Sequence, residues 1–401
     1  MEKDFHFELV TNVKSGINSI DYVFKFLKKK KFKKIGLIVD KNLFKKSNYI
    51  KLFINKFKKK EILKQIFYFK GDAEPTYQHL DFVVKELKKK KNINFDCFIS
   101  IGGGSTIDFS KGMATLIKNP GSSLKYRGFP KNLKPSIPIV AIPSTTGTGS
   151  ELAYNAVFTD LNSKIKLGIN TKNNYPILSI LDPKIPVNSP KNVLLNSSLG
   201  ALIRSIDSMF NKKSNKISKI FSETAFKLLF NNLPKVLKNK NNLKYWSNMQ
   251  WGAYFSIAAL LNSSNGPSAA IAYYLSTNFK IPQGLGYAVS GIRFFERNHN
   301  KGYYEYSKLF ELIEKKPKNK KLSKKKKSEF VILSLLKMLK YNKVSLKESN
   351  IPKNHNYEIL KFITKTFNKS NSKNIIISNR SNNPIMLNKR DLEIIINKIL
   401  T

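Results

Sequence analysis

Cysteine is nearly absent. Cys97 is the only one in 401 residues, which rules out an internal disulfide framework and any zinc site built from cysteines. Histidine is scarce as well, with four: His6, His79, His299 and His355. None lies within a helical turn of another, and each reads as a surface or loop residue, so the chain offers little material for an imidazole-rich metal centre. No stretch approaches the roughly 18 consecutive apolar residues that a membrane-spanning helix needs. The first ten residues, Met1 to Val10, are acidic and alternating and lack the basic start and apolar run of a secretory signal. The expected compartment is the cytoplasm, with no membrane partner.

Acidic residues are few: 26, against 72 Lys and Arg, for a formal net charge of +46. Such a balance raises the question of a nucleic-acid partner. Arginine, the residue of choice for reading phosphates and bases, occurs only six times, at Arg127, Arg204, Arg293, Arg297, Arg380 and Arg390. Lysine is spread over the whole chain, and its runs at 28–31, 58–60, 88–91 and 324–327 carry no regular aromatic interleaving. They read as solvated helix ends and loops, and no nucleic-acid partner is expected. The hydrophobic fraction of 41% is that of a globular chain.

The first half alternates strands and helices. Apolar β-branched runs at Lys34–Val39, Ile66–Phe69, Phe95–Ile101 and Ile137–Ile142 predict strands, and helical spacing predicts helices at Tyr49–Phe57, Tyr77–Lys90 and Ser105–Ile117. Gly71–Thr76 reads as a turn. That alternation predicts a Rossmann-like parallel sheet with helices on its faces. From about Val187 onward helical patterns dominate, at Leu195–Phe210, Lys219–Phe230, Met249–Leu261, Ser268–Thr277, Phe330–Leu339 and Asp391–Leu400. The expected organisation is an α/β dinucleotide-binding domain over 1–183 and an all-helical domain over 184–401. The basic, Pro-containing stretch Lys315–Lys327 reads as an exposed loop.

Two loops carry the chemistry. In the first, a strand runs into Gly102-Gly103-Gly104 and a helix opens at Ser105-Thr106. Glycines let the backbone approach a phosphate, and a helix start presents free N–H groups to it. In the second, a strand ends at Pro143 and Ser144-Thr145-Thr146-Gly147-Thr148-Gly149-Ser150 follows. In a parallel sheet both loops emerge at the same carboxyl edge, where ligands bind. Asp40 ends the first strand. A carboxylate there accepts hydrogen bonds from a ribose and favours NAD over its 2′-phosphorylated form; capping of the next helix is the competing reading.

These residues resemble the iron-containing (group III) alcohol dehydrogenase family, whose fold is shared with dehydroquinate synthase. The likeness rests on Gly102–Asp108 and Ala141–Glu151, followed at the family's distances by Lys166-Leu167-Gly168-Ile169 and Ser179–Pro183. It implies NAD or NADP as cofactor, a small-molecule alcohol or aldehyde as substrate, and a homodimer or larger assembly. It implies a cofactor site at Asp40, Gly102, Gly103, Gly104, Ser105, Thr106, Asp108, Ser144, Thr145, Thr148, Lys166 and Leu181. Lys118–Ser123, Tyr126-Arg127-Gly128 and Lys166–Asn170 are similar to the branch containing 3-deoxy-manno-octulosonate 8-oxidase, which implies a sugar acid as substrate.

The family holds a divalent metal with one Asp and three His. The matching positions here are Gly200, Arg204, Ala269 and Gln283, none an anionic or imidazole donor, and a His that often assists proton transfer falls at Tyr273. A family-type metal site is therefore expected to be absent. Maleylacetate reductases, in the same superfamily, are similar in working without metal. Arg204, with Gln283 and Tyr273 beside it, then reads as the lining of a metal-free catalytic site, in which a fixed cation stabilises negative charge on oxygen or binds a carboxylate. Two alternatives stay open: Arg204 as the structural partner of Asp207 or Glu151, and the chain as a non-catalytic nucleotide-binding relative serving as a binding or assembly module.

Overall fold

The computed structural model describes residues 4–70, 74–90, 94–314, 321–346, 351, 358–359 and 382–400. Contacts divide the chain into two compact units, one of residues 9–194 with 235–251, the other of residues 1–8, 195–234 and 252–401.

The first unit is built on a six-stranded parallel sheet. Its strands are β1 (Asn12–Ser15), β2 (Ile35–Asp40), β3 (Leu63–Phe69), β4 (Cys97–Gly102), β5 (Ile139–Pro143) and, after a hairpin of β6 (Val157–Asp160) and β7 (Ile165–Gly168), β8 (Leu178–Leu181). The order across the sheet is β1-β8-β5-β4-β2-β3. β4 and β5 are buried along their whole length and β2 along all but its last residue, as expected of strands covered on both faces.

The faces separate by alternation. Leu37, Val39, Ile99 and Ile101 join Val23 and Leu27 of α1 (Tyr22–Lys30) and Ile50, Phe53 and Phe57 of α3 (Asn48–Lys59) in one core, the short α2 (Lys41–Lys46) lying between β2 and α3 in sequence. Ile38 and Phe98 join Tyr77, Leu80 and Val84 of α4 (Tyr77–Lys88) and Phe109 and Met113 of α5 (Gly104–Lys118) in the other.

The strand order fixes where a ligand sits. From β2 the chain moves outward to β3, then returns to the other side of β2 and proceeds through β4, β5 and β8. The direction reverses between β2 and β4, and in sheets of this kind ligands bind outside the carboxyl ends at such a reversal. Asp40 closes β2 and Gly102 closes β4, in neighbouring register through Val39 opposite Ile101. Gly102 pairs in turn with Pro143 of β5.

The second unit is mostly helical. α6 (Lys191–Phe210), α7 (Lys216–Lys238) and α8 (Leu243–Leu261) supply part of it; α9 (Ser268–Phe279), α10 (Gln283–Asn300) and the helices Lys324–Tyr341 and Lys389–Leu400 lie within it. Three departures from the sequence expectations stand out. α7 continues past Phe230 and through Pro234 to Lys238. The lysine run 324–327 is not loop but the first turn of a helix capped by Ser323, whose hydroxyl accepts the Lys326 N–H; residues 315–320 and the Gly71–Ala73 part of the expected turn lie outside the described residues. And α10 has no counterpart among the expected helices.

Gly284, Gly286 and Gly291 weaken helical propensity in α10, yet each marks a close approach. A Cβ on Gly284 would stand 2.0 Å from the Asn196 carbonyl oxygen of α6, and one on Gly291 would stand 2.2 Å from Ile203 Cγ2. α6 and α10 therefore touch backbone to backbone. Gly284→Ala is expected to lower unfolding stability by about 1–3 kcal/mol, the usual cost of overpacking a core contact, measured by chemical denaturation; an unchanged midpoint would contradict the backbone contact.

Candidate active site

The two loops meet at the carboxyl edge of β4 and β5. The Ser144 N–H donates to the Gly102 carbonyl at 2.9 Å. A Cβ on Gly103 would come within 3.2 Å of Thr145 Cγ2, and one on Gly104 within 2.6 Å of Thr148 Cγ2. The glycines thus leave room for the threonines of the opposite loop. α5 opens after Gly103 with no side-chain cap, so its first N–H groups receive no side-chain oxygen there. The hydroxyl oxygens of Thr106 and Thr145 are buried and meet no hydrogen-bond partner in the protein. Unpartnered buried hydroxyls are costly unless a ligand satisfies them. Two hydroxyls and an uncapped helix start beside a glycine turn fit a pyrophosphate.

The other expected cofactor residues lie on β2, α5, β7 and β8. Asp40 caps α2: its Oδ1 accepts from the N–H groups of Asn42 and Leu43 at 2.8 and 3.0 Å. Lys166, on β7, is buried and donates to Glu74 Oε2 at 2.6 Å. Ser105 lies in the first turn of α5, and Leu181 is the buried last residue of β8. Asp108 turns toward the second loop, accepting from Ser150 Oγ and from the Val157 N–H. Burial pushes its carboxyl up, opposed chiefly by the Lys111 charge.

In the helical unit, Gly200 of α6 faces Gly284 of α10, where an added Cβ would stand 2.9 Å from the Gly284 Cα. No side chain fits at position 200 without parting the helices. Arg204 follows one turn on in α6, half-buried; Gln283 opens α10, and Tyr273 lies in α9, whose Ala269 is buried. Among the described residues no three His, Cys, Asp or Glu side chains come together as metal ligands.

One histidine, His299, differs from the sequence expectation of surface or loop positions. His79 is an exposed residue of α4, its ring stacked 5.0 Å from that of Phe109, and partial desolvation there lowers its pKa. His299 is buried on α10, the same helix as Gln283, and its Nδ1 meets Ser328 Oγ at 2.9 Å. Sixteen residues separate it from Gln283, roughly 24 Å along a helix. His6 is exposed, and His355 lies outside the described residues.

A polar knot missed in the sequence lies one turn beyond Arg204. The Asp207 Oδ2 accepts from Tyr287 Oη at 2.6 Å and from Ser268 Oγ at 2.8 Å. Gly266 permits this, since a Cβ there would fall 2.4 Å from Asp207 Oδ1. One carboxyl thus ties α6, the start of α9 and α10. Only the three-residue step from Arg204 hinted at it.

Burial pushes the Asp207 carboxyl up to about 6, against hydrogen bonds from Tyr287, Ser268 and Gly266 that favour the ionised form. Between the ordinary aspartate value of 3.8 and about 6 the folded protein holds a proton that the unfolded chain releases. The stability from this group is present below that window and is lost as pH rises through it, by about 3 kcal/mol. Asp207→Asn is expected to flatten that part of the stability–pH curve, measured by urea denaturation from pH 4 to 7; parallel curves for the two proteins would contradict the assignment.

Residues 11–183 match the family model for iron-containing alcohol dehydrogenase, and residues 194–400 that for the Fe-containing alcohol dehydrogenase family, C-terminal. Alcohol dehydrogenase 4 of Schizosaccharomyces pombe is 32% identical over 204 residues, covering 51% of this chain and 48% of that protein. The NAD-dependent methanol dehydrogenase of Bacillus methanolicus is 30% identical over 195 residues, covering 49% and 51%. The chain spans about half the length of the curated relatives it matches. A solved 1,3-propanediol oxidoreductase shares the fold with a TM-score of 0.86 at 21% identity, over 99% of this chain and 100% of that one. Sulfoacetaldehyde reductase from Bifidobacterium kashiwanohense, solved in complex with NAD+, does so with a TM-score of 0.84 at 18% identity, over 99% of each. On the two family models, which together span nearly all of the sequence, this chain belongs to the iron-containing alcohol dehydrogenase family.

Proposed function

We infer that the protein is an NAD(P)-dependent oxidoreductase that interconverts a small polar alcohol and its aldehyde or ketone, with NAD the preferred cofactor, and that it works without the family's metal. The observation that carries the reading is the pair of buried, unpartnered hydroxyls of Thr106 and Thr145 beside an uncapped helix start at the sheet's switch point. When bound, NAD supplies the hydride acceptor; the residues of this chain bind, orient and stabilise charge. Gly102–Thr106 and Ser144–Thr148 hold the pyrophosphate, and Asp40, whose position at the end of β2 suits a ribose hydroxyl, disfavours a 2′-phosphate.

The donor set at 200, 204, 269 and 283 does not fit a divalent cation. Gly, Arg and Ala carry no ligating oxygen or imidazole, and Gln283 supplies only a neutral amide. The close packing of Gly200 on Gly284 leaves no space for an aspartate at the first of these positions. In this reading the Arg204 guanidinium takes over the electrostatic work: it stabilises the alkoxide from which hydride leaves, or the oxyanion that forms in the reverse direction. Gln283 and Tyr273 donate hydrogen bonds to the substrate. A guanidinium also pairs with carboxylates, which favours a sugar acid among the polar alcohols.

The test is a nicotinamide absorbance assay on chelator-treated protein with sugar acids, polyols and aldehydes. Turnover that survives chelation is expected, and Arg204→Ala is expected to lower kcat/KM by about 100-fold with unchanged NAD affinity. Activity restored only by iron or zinc would contradict the metal-free reading, and full activity of the variant would remove Arg204 from the site. Tight NAD binding with no turnover on any substrate would favour a binding module instead.

A further inference from the structure

Lys111 is a fully buried lysine that the cofactor reading does not use. It lies on α5, seven residues beyond Gly104 and so roughly 10 Å along the helix from the first phosphate loop, with 0% of its surface exposed. Its Nζ reaches four oxygens of the segment that completes the second loop: Ser150 O at 2.7 Å, Ser150 Oγ at 2.9 Å, Ala153 O at 2.8 Å and Asn155 O at 2.8 Å. An ammonium has three protons to share among them. Asp108, one turn earlier on the same helix, stands 3.7 Å from Nζ and takes the Ser150 hydroxyl and the Val157 N–H. Every second or third residue from Ser150 to Val157 is therefore tied to α5, the helix whose first turn faces the pyrophosphate.

A buried ammonium adds little net stability, because desolvation offsets its pairing. What it does supply is one defined conformation for a loop of carbonyls that would otherwise need water. We propose that Lys111 is the positioning residue of the cofactor cradle: from behind, it fixes the second glycine loop to the helix that begins at the first, and so sets the spacing of the two phosphate-holding edges. This rests on the reading of those loops as a nicotinamide dinucleotide site.

Protonation ties the device to pH. Burial lowers the Lys111 ammonium to about 8, against the charges of Asp108 and Glu151, which hold it up. Lys166 of β7 acts on Asp108. Of the other elements against α5, α4 brings His79 onto Phe109, β6 ends in Asp160, which is engaged by Arg127, Gln78 and Ser163, and Cys97 of β4 belongs to the opposite core. As pH rises through about 8 the amine keeps two protons for four acceptors, and the loop loosens.

The experiment is calorimetric titration of NAD+ into the full chain at pH 7 to 9, on wild type, Lys111→Gln and Lys111→Met, with an unfolding curve for each apo-protein. Wild-type Kd is expected to rise several-fold across that range. Both variants are expected to bind at least ten-fold more weakly at pH 7, with a flat pH profile, while remaining folded. If neither variant folds, the wild-type profile decides by itself. A wild-type Kd constant from pH 7 to 9, or folded variants with wild-type affinity, would overturn the proposal. A wild type that binds no NAD+ at any pH would overturn the cofactor reading itself, and this proposal with it.

Discussion

One edge of the parallel sheet carries an unmet hydrogen-bonding demand. β4 and β5 end side by side, and the chain leaves each through residues too small, or too short of partners, to close the space between them. The Ser144 N–H to Gly102 carbonyl bond locks the loops together at their roots. Beyond that bond, glycines on one side make room for threonines on the other, and two hydroxyls and a helix start point where no protein acceptor lies. Groups of this kind are stable in a fold when a polar ligand completes them. Parallel pairing, strand order and the depth of the two cores all serve to hold that edge in place.

The helical unit shows the opposite situation, with space closed rather than kept open. Gly200 and Gly284 bring α6 and α10 into backbone contact, and Gly291 lets the same helices approach again at Ile203. The approach of α6 to α10 at Gly200 leaves no room for a longer side chain there. One carboxyl joins the three helices, that of Asp207, through the neutral hydroxyls of Tyr287 and Ser268. Membership in a metal-using family and this donor set are reconciled if the charge at the reacting oxygen comes from Arg204.

Much of this was legible in the sequence where local and global preferences agree. The buried strands read clearly because runs such as Ile35–Val39 and Phe98–Ile101 are apolar but for Ser100, as double-sided burial demands. The two loops read clearly because glycine and hydroxyl residues directly after such strands have few other uses. β1 was not legible: Asn12–Ser15 offers a single apolar residue, and its place comes from pairing with β8 at the sheet edge. α10 was hidden by the glycines that its packing requires. Lys111 looked like one of 66 lysines, since nothing local distinguishes a buried ammonium from a solvated one; only the return of Ser150–Asn155 onto α5 reveals it. Asp207 needed two partners, 61 and 80 residues away.

Whether a pyrophosphate completes the paired loops is decided by a crystal structure of the protein soaked with NAD+. Both phosphates are expected between Gly102–Thr106 and Ser144–Thr148, with the Thr106 and Thr145 hydroxyls within hydrogen-bond distance of phosphate oxygens. A dinucleotide bound elsewhere, or those two hydroxyls still without a partner in the complex, would contradict that placement.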